Sequence, residues 1–346
     1  ASYGLVLHGS GPARVKAGMH YIAVNLVASL LFLVAAALIY GVTGTLNMAD
    51  LALKLPQLEG AERSLFDVGA GLLGIVFLVK AGAWPMNFWL PSAYGAASAP
   101  VAGVFAVLTK IGVYALLRFD TLLDAGGGPA PFGDHWLFYL GMATVATGTL
   151  GVLASQQLER LAGFLVIVSS GTLLAAIGFD GTTLTGPALY YLFSSVLGSG
   201  AFFMVIEMAQ RHRSAAADLL AVSLEAFGRQ DARDSAHPDV MVGVPIPAAM
   251  AVLGLTFVSC ALLLTGLPPL SGFVAKVSLL SAAITAATDG ETLRTWLFVA
   301  ALLLSGLAGV MALSRLGSRV FWSGDRSTPR LARRRPPRQR PRGRPV

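Results

Sequence analysis

Residues 73–119, LGIVFLVKAGAWPMNFWLPSAYGAASAPVAGVFAVLTKIGVYALLRF, decide the fold, because they set two lysines, Lys80 and Lys110, into almost uninterrupted apolar sequence. The chain has only five lysines, and a third, Lys276, stands in a similar run, LSGFVAKVSLLSA. An ammonium inside hydrocarbon costs about 3 kcal/mol or more, so a lysine retained there is read as functional. The competing reading is that each lysine snorkels along its apolar stem to an interface. Lys110 sits several residues inside its span at either end and suits that reading least, whereas Lys80 and Lys276 lie nearer to breaks in their helices.

Outward from this stretch, the composition has one meaning. The 346 residues are 55% hydrophobic and 12% charged, with a mean hydropathy of +0.69, far more apolar than a soluble domain. The apolar stretches run to about 20 residues, the length of helix that crosses a roughly 30 Å hydrocarbon core. With no strand alternation to compete, the expected fold is an all-α polytopic transmembrane bundle with discontinuous helices and about 8–9 spans, partnered by the lipid bilayer. The net charge of +7 belongs to a tail: ten arginines fall from Arg319 onward, and the remaining 15 basic residues face 17 acidic ones up to 315. The high pI therefore gives no support to a nucleic-acid partner. Cys260 is the single cysteine, in TFVSCALLL, and reads as a small core residue.

Full spans are expected at 22–43, 66–83, 98–118, 135–155, 160–179, 186–209 and 294–315, with a short interfacial helix in TGTLNMADLALKLPQLEG stopped by Pro56. The apolar run 246–288 is broken at GLPPLSGF. Arginines beyond 209 and beyond 315 mark both positions as cytoplasmic under the positive-inside tendency, so parity favours one broken element there over two crossings. Residues 1–315 then form a transmembrane transporter domain, 211–243 a cytoplasmic loop within it with a short amphipathic piece at LLAVSLEAF, and 316–346 a Pro/Arg-rich tail expected to be disordered. The opening ASYGLVLHG reads as the last turns of an apolar helix whose start lies before residue 1.

Two proline-bearing breaks stand close to lysines: Pro85 and Pro91 in WPMNFWLPSAYG, and Pro268 and Pro269 in GLPPLSGF. Proline removes a backbone donor, so helix continuity fails there. The first break is either an interfacial turn with an aromatic belt or a cavity-lining discontinuity inside the membrane. A pair of broken apolar elements is the sequence pointer to a transporter built from repeats. Lysine suits proton relay because desolvation brings an amine toward the range where it gives up and regains a proton. His8, His135, His212 and His237 form no metal-ligand spacing, and Glu207 is read as an interfacial partner of Arg211. No phosphate loop or nucleophile motif is present, so no cofactor and no enzymatic activity are expected.

The quoted stretch, together with LPPLSGFVAK, resembles the antiporter-like subunits shared by respiratory complex I and the multisubunit Mrp-type cation/proton antiporters. Within that family YGVTGTLNMADLA is similar to the D-type subunits of the Mrp complexes. The resemblance runs from Ala1 to about Asp325. It implies a fold of 14 helices with two inverted repeats, lodged in the bacterial inner membrane, and work inside a hetero-oligomeric complex that exchanges Na⁺ or K⁺ for H⁺. By motif, Lys80 corresponds to the lysine before the first break, Lys110 to that of the next helix, and Lys276 to the second-half lysine. The family places further helices ahead of this sequence, with a glutamate that pairs with the Lys80 equivalent, and another helix beyond Trp322. It often carries a histidine near Ser194 and sometimes a lysine near Ser199, so Ser194, Ser195 and Ser199 are expected to serve as a hydroxyl relay here.

These readings give one leading expectation: a D-type antiporter subunit, lacking the N-terminal helices, that relays protons along Lys80, Lys110 and Lys276 while other subunits complete the cation path. Two alternatives stand beside it, a proton-pumping subunit of complex I and a non-conducting structural member of such an assembly.

Overall fold

A computed structural model of the chain describes residue 4 and residues 11–125, 134–179, 182–227, 248–287 and 292–322. His8, His237, the opening ASYGLVLHG apart from residue 4, and the tail beyond 322 lie outside the described residues. Among those described, every regular element is helical. Seven helices are long and apolar enough to cross a bilayer: α1 (Pro12–Thr43), α3 (Gly60–Ala81), α5 (Ala99–Ala125), α6 (Asp134–Ala154), α7 (Leu158–Ile177), α8 (Thr185–Phe227) and α11 (Thr292–Gly317). Four shorter ones complete the set: α2 (Met48–Lys54), α4 (Leu90–Ala96), α9 (Ala248–Thr265) and α10 (Ser271–Ala286).

Local chemistry sets the boundaries. Pro12 opens α1, where its missing N–H costs nothing, and Gly44 closes it in the left-handed region at φ 67°. Asn47 caps α2 by accepting from the Ala49 N–H at 3.0 Å. Pro56 then confines the chain to a single 3₁₀ turn, as the sequence predicts for this interfacial segment. The one sizeable departure is at α8. It does not end near 209 but continues as helix to Phe227, so LLAVSLEAF prolongs the span helix instead of forming a separate piece. Residues 228–243 of the expected loop lie outside the described residues.

Both expected breaks are present, and they share one cap. The first half-element α3 ends with Gly82 at φ 69°, and α9 ends with Gly266 at φ 76°. In each case the next residue bonds five back: Ala83 N–H to Leu78 O at 3.0 Å, and Leu267 N–H to Leu262 O at 2.9 Å. This is the glycine-terminated Schellman arrangement, which turns the chain sharply while satisfying the last carbonyls. At each break the start of the second half lies close against the end of the first. A Cβ on Gly82 would meet Leu90 Cδ1 at 1.9 Å, and one on Gly272 would meet Leu263 O at 1.8 Å. The 18 residues of α9 and the 16 of α10 are each shorter than the about 20 that a full crossing needs. Sidedness agrees. Gln210 bonds Glu159, and Arg315 donates to the carbonyls of Leu153 and Ser155 at 2.9 and 2.8 Å. The ends of α8 and α11 therefore meet the same α6–α7 link, and α9–α10 make a single broken passage between them.

At the centre stands α7, almost wholly buried, whereas α1 keeps most of its apolar surface exposed for lipid or partners. Without a hydrophobic drive between helices in lipid, close packing needs small residues. The α6–α7 contact supplies them: a Cβ on Gly141 would meet Ala175 N at 2.2 Å, and one on Gly171 would meet Val145 N at 2.7 Å. Gly71 has nothing within 4 Å of such a Cβ. Gly141→Ala and Gly171→Ala should therefore each lower the thermal-unfolding midpoint in detergent, by overpacking of about 1–3 kcal/mol. Gly71→Ala should leave it unchanged or raise it, and equal behaviour of all three would refute this account of the packing.

Candidate functional site

Each of the three lysines occupies its own seat. Lys110 lies eleven residues along α5 from Ala99, and Asn25, the partner of Lys80, eleven beyond Arg14 on α1; both distances are about 16 Å, half of a roughly 30 Å core. Three ion pairs, Lys54–Asp50, Arg63–Asp67 and Arg211–Glu207, are local helix pairs. None involves Lys80, Lys110 or Lys276. The last of them bears out the reading of Glu207 as the partner of Arg211.

Lys110 is the most deeply set, with 1% of its surface exposed. Its Nζ donates to Ser169 Oγ at 2.6 Å, to Ser170 Oγ at 3.1 Å and to the Val166 carbonyl at 3.5 Å. The hydroxyl of Ser169 itself donates to Val166 O at 2.9 Å, which leaves its lone pairs turned toward the ammonium. An ammonium carries three donors, and the turn Val166–Ser170 of α7 presents three acceptors to it.

Lys80 points to the other side of α5. Its Nζ donates to Asn25 Oδ1 at 2.5 Å, and it borders a cavity of about 360 Å³ with Tyr21, Asn25, Trp89, Phe105 and Thr109. A Cβ on Gly112 would stand 2.9 Å from Lys80 Cβ, so α5 rests directly on this lysine. Residues two apart on a helix face opposite ways. Gly112 thus meets α3 while Lys110 meets α7, and α5 stands between the two seats.

Lys276 belongs to the second half of its broken element and reaches back to the first. Its Nζ donates to the Thr265 carbonyl at 2.7 Å, at the negative end of α9, where a cation is favoured. Room is made by glycines: a Cβ on Gly266 would be 2.5 Å from Lys276 Cδ, and one on Gly306 would be 3.3 Å from Thr265 O. Of the three expected serines, only Ser194 bonds across helices, to Ser271 Oγ at 3.1 Å at the start of α10. Ser195 and Ser199 donate to carbonyls of their own helix, Leu192 O at 2.9 Å and Ser195 O at 2.7 Å.

The first break is held from α6. The Trp84 N–H donates to Thr144 Oγ1 at 2.9 Å, and Asn87 Nδ2 to Thr147 Oγ1 at 3.0 Å. The backbone N–H of Trp84, beside Pro85, is therefore satisfied by protein, and the cavity beside Lys80 favours the discontinuity over the interfacial turn. Pro85, Pro268 and Pro269 are exposed and Pro91 is buried. Sequence reasoning passed over Asn25, Ser169 and Ser170. The signal for the serines was a hydroxyl pair in the middle of FLVIVSSGTLLAA, where a polar group in an apolar span asks for a partner across helices.

Long apolar helices, two glycine-capped breaks, and lysines bonded to neutral acceptors inside the bundle define a polytopic membrane subunit. The chain belongs to the NADH:quinone oxidoreductase/Mrp antiporter transmembrane family, whose model matches residues 1–308. It is 55% identical over 335 residues to the D-type subunit of a probable K⁺/H⁺ antiporter of Rhizobium meliloti strain 1021, covering 95% of this chain and 61% of that protein. It is 32% identical over 331 residues to the D-type subunit of the Na⁺/H⁺ antiporter of Bacillus subtilis strain 168, covering 95% of this chain and 60% of that protein. The chain thus spans about three fifths of the length of these relatives. Among solved structures, a chain of the Mrp complex from Dietzia sp. DQ12-45-1b superposes with a TM-score of 0.69 at 26% identity, over 93% of this chain and 55% of that one. A chain of respiratory complex I from Thermus thermophilus with bound NADH gives a TM-score of 0.69 at 18% identity, over 93% and 62%, a likeness of fold alone.

Ser169→Ala removes the shortest of the Lys110 contacts, a hydrogen bond to a charged group worth about 1.5–3 kcal/mol. It should lower the unfolding midpoint in detergent. Ser259→Ala, whose hydroxyl serves only the Leu255 carbonyl of its own helix, should not. An unchanged midpoint for Ser169→Ala would show that Lys110 does not depend on this seat.

Proposed function

We propose that the chain is the proton-translocating part of a D-type membrane subunit of a multisubunit monovalent cation/H⁺ antiporter in a bacterial inner membrane, with its basic end in the cytoplasm. The observation that carries this reading is Lys110, fully buried at mid-span and bonded to two hydroxyls and a carbonyl. Neutral acceptors hold an ammonium without fixing its charge, which a relay station needs, whereas a buried carboxylate would lock the pair. Protons pass along Lys80, Lys110 and Lys276, with Ser194 and Ser271 linking α8 to the half-helix that bears Lys276. The serines Ser195 and Ser199, occupied within their own helix, serve only if they let go of those carbonyls. Other subunits of the assembly, Na⁺ or K⁺, and the surrounding lipid are the partners. The basic end gathers Arg14, Lys16, Arg160, Arg211, Arg315 and Arg319, which supports the cytoplasmic assignment.

Support for antiport over redox-driven pumping comes from the antiporter subunits at 55% and 32% identity. The deciding experiment uses vesicles that carry the chain with the subunits it assembles with, under an imposed pH gradient and without NADH or quinone. Added K⁺ or Na⁺ should dissipate the gradient, read by a pH-sensitive dye. Proton movement that ignores both cations, or that requires NADH and quinone, would overturn the proposal.

A further inference from the structure

We infer that Thr144 and Thr147 of α6 are positioning residues for Lys110: a two-point clamp on the loop of the first break, which sets where the half-helix beyond it stands against the lysine. This rests on the proton-relay reading of Lys110. The two threonines are three residues apart and so share one face of α6. Each hydroxyl gives its only proton to its own helix, Thr144 to the Leu140 carbonyl at 2.8 Å and Thr147 to that of Ala143 at 3.0 Å. What remains on each oxygen is acceptor capacity alone. The loop answers with two donors, the Trp84 N–H to Thr144 Oγ1 at 2.9 Å and Asn87 Nδ2 to Thr147 Oγ1 at 3.0 Å. One bond is made by the backbone and one by a side chain, so the loop is held at both of its ends.

The clamp reaches Lys110 by two routes. The first runs through α4. Its opening residue Leu90 donates its N–H to the Asn87 carbonyl at 3.2 Å, so the held loop and the half-helix are joined without slack. Within α4, the Tyr94 hydroxyl meets Thr109 Oγ1 at 3.0 Å, one residue before Lys110. Thr109 gives its own proton to the Phe105 carbonyl at 2.9 Å, so Tyr94 is the donor. On the other face of α4, a Cβ on Gly163 of α7 would stand 3.1 Å from Tyr94 Cβ. The half-helix is thus wedged between the helix that carries the lysine and the helix that seats it. The second route is direct. Thr144 is fully buried, and a Cβ on Gly171 would meet Thr144 Cβ at 2.9 Å. Gly171 follows Ser170, which accepts from Lys110 Nζ at 3.1 Å. One threonine therefore touches both the loop and the residue next to the seat.

The test measures cation-driven proton movement in vesicles carrying the assembled complex, over a range of K⁺ or Na⁺ concentrations, with co-purified partner subunits giving the amount of complex in each sample. Lys110→Leu is the reference and should remove the flux. Flux that survives it would sink the relay reading itself. Given that loss, Thr144→Val keeps the branched shape against Gly171 and drops the hydroxyl. It should lower the maximum flux per complex by at least about tenfold, where a misplacement of about 1 Å can cost about a hundredfold. The cation concentration for half the maximum should stay where it is, because the clamp serves the proton path. Thr144→Ser returns the hydroxyl and should restore most of the flux. If the valine variant does not assemble, Asn87→Ala frees the half-buried end of the same loop without altering α6 and should lower the flux in the same way. Full flux per complex in Thr144→Val or in Asn87→Ala would reduce the clamp to a structural feature and overturn the inference. Serine behaving like valine, or a shifted half-maximum, would overturn it as well.

Discussion

The ammonium of Lys110, seated on the Val166–Ser170 turn of α7, is the constraint on which the bundle depends. A charge at this depth is tolerated only where its donors are met, and α7 meets them with two hydroxyls and a carbonyl. That requirement reaches outward. The hydroxyls must stay in place, so α7 must be held firmly, and its burial on all sides by α6, α5, α8, α4 and α11 does this. The glycines of the α6–α7 contact let the two backbones approach closely enough to hold it. Replacing the seat by apolar side chains would leave the buried donors of Lys110 unmet, at the full desolvation cost of that group.

The two broken elements apply the same economy of polar groups in different ways. At the first, the chain is released at Gly82 and its exposed donor is taken by Thr144 of α6. At the second, the released carbonyl of Thr265 is taken by Lys276 itself. The lysines thus stand on opposite sides of their breaks: Lys80 precedes Gly82 by two residues, and Lys276 follows Gly266 by ten. In the first case the lysine looks away from the break to Asn25, and in the second it closes the break. A proton arriving at Lys276 would act directly on the joint between α9 and α10, whereas one arriving at Lys80 would act on the contact between α3 and α1.

Much of this was legible in the residues. Span positions followed from the length of apolar runs, and both breaks from glycine and proline beside a lysine, since these residues act through local backbone rules that need no tertiary information. The end of α8 was not legible, because the polar residues after Arg211 mark where a helix leaves lipid and not where it stops. Asn25 and the Ser169–Ser170 pair were missed for a related reason. A single amide or hydroxyl in an apolar helix shows that a partner exists, and only the packing of distant segments shows which. The serines Ser194, Ser195 and Ser199 look alike in sequence, yet only Ser194 faces another helix at a distance that allows a bond. Lys80 and Lys110 also looked like neighbours on one path, and the i, i+2 relation of Lys110 to Gly112 places α5 between them.

The most direct test of the central claim is cation-driven proton movement through an assembled complex whose Lys110 is replaced by leucine, a side chain that fills similar space without a titratable nitrogen. If Lys110 carries protons, assembly is retained and K⁺- or Na⁺-dependent proton flux falls to background. If the flux persists at its original rate with the leucine in place, the buried ammonium is a structural feature and the relay runs elsewhere.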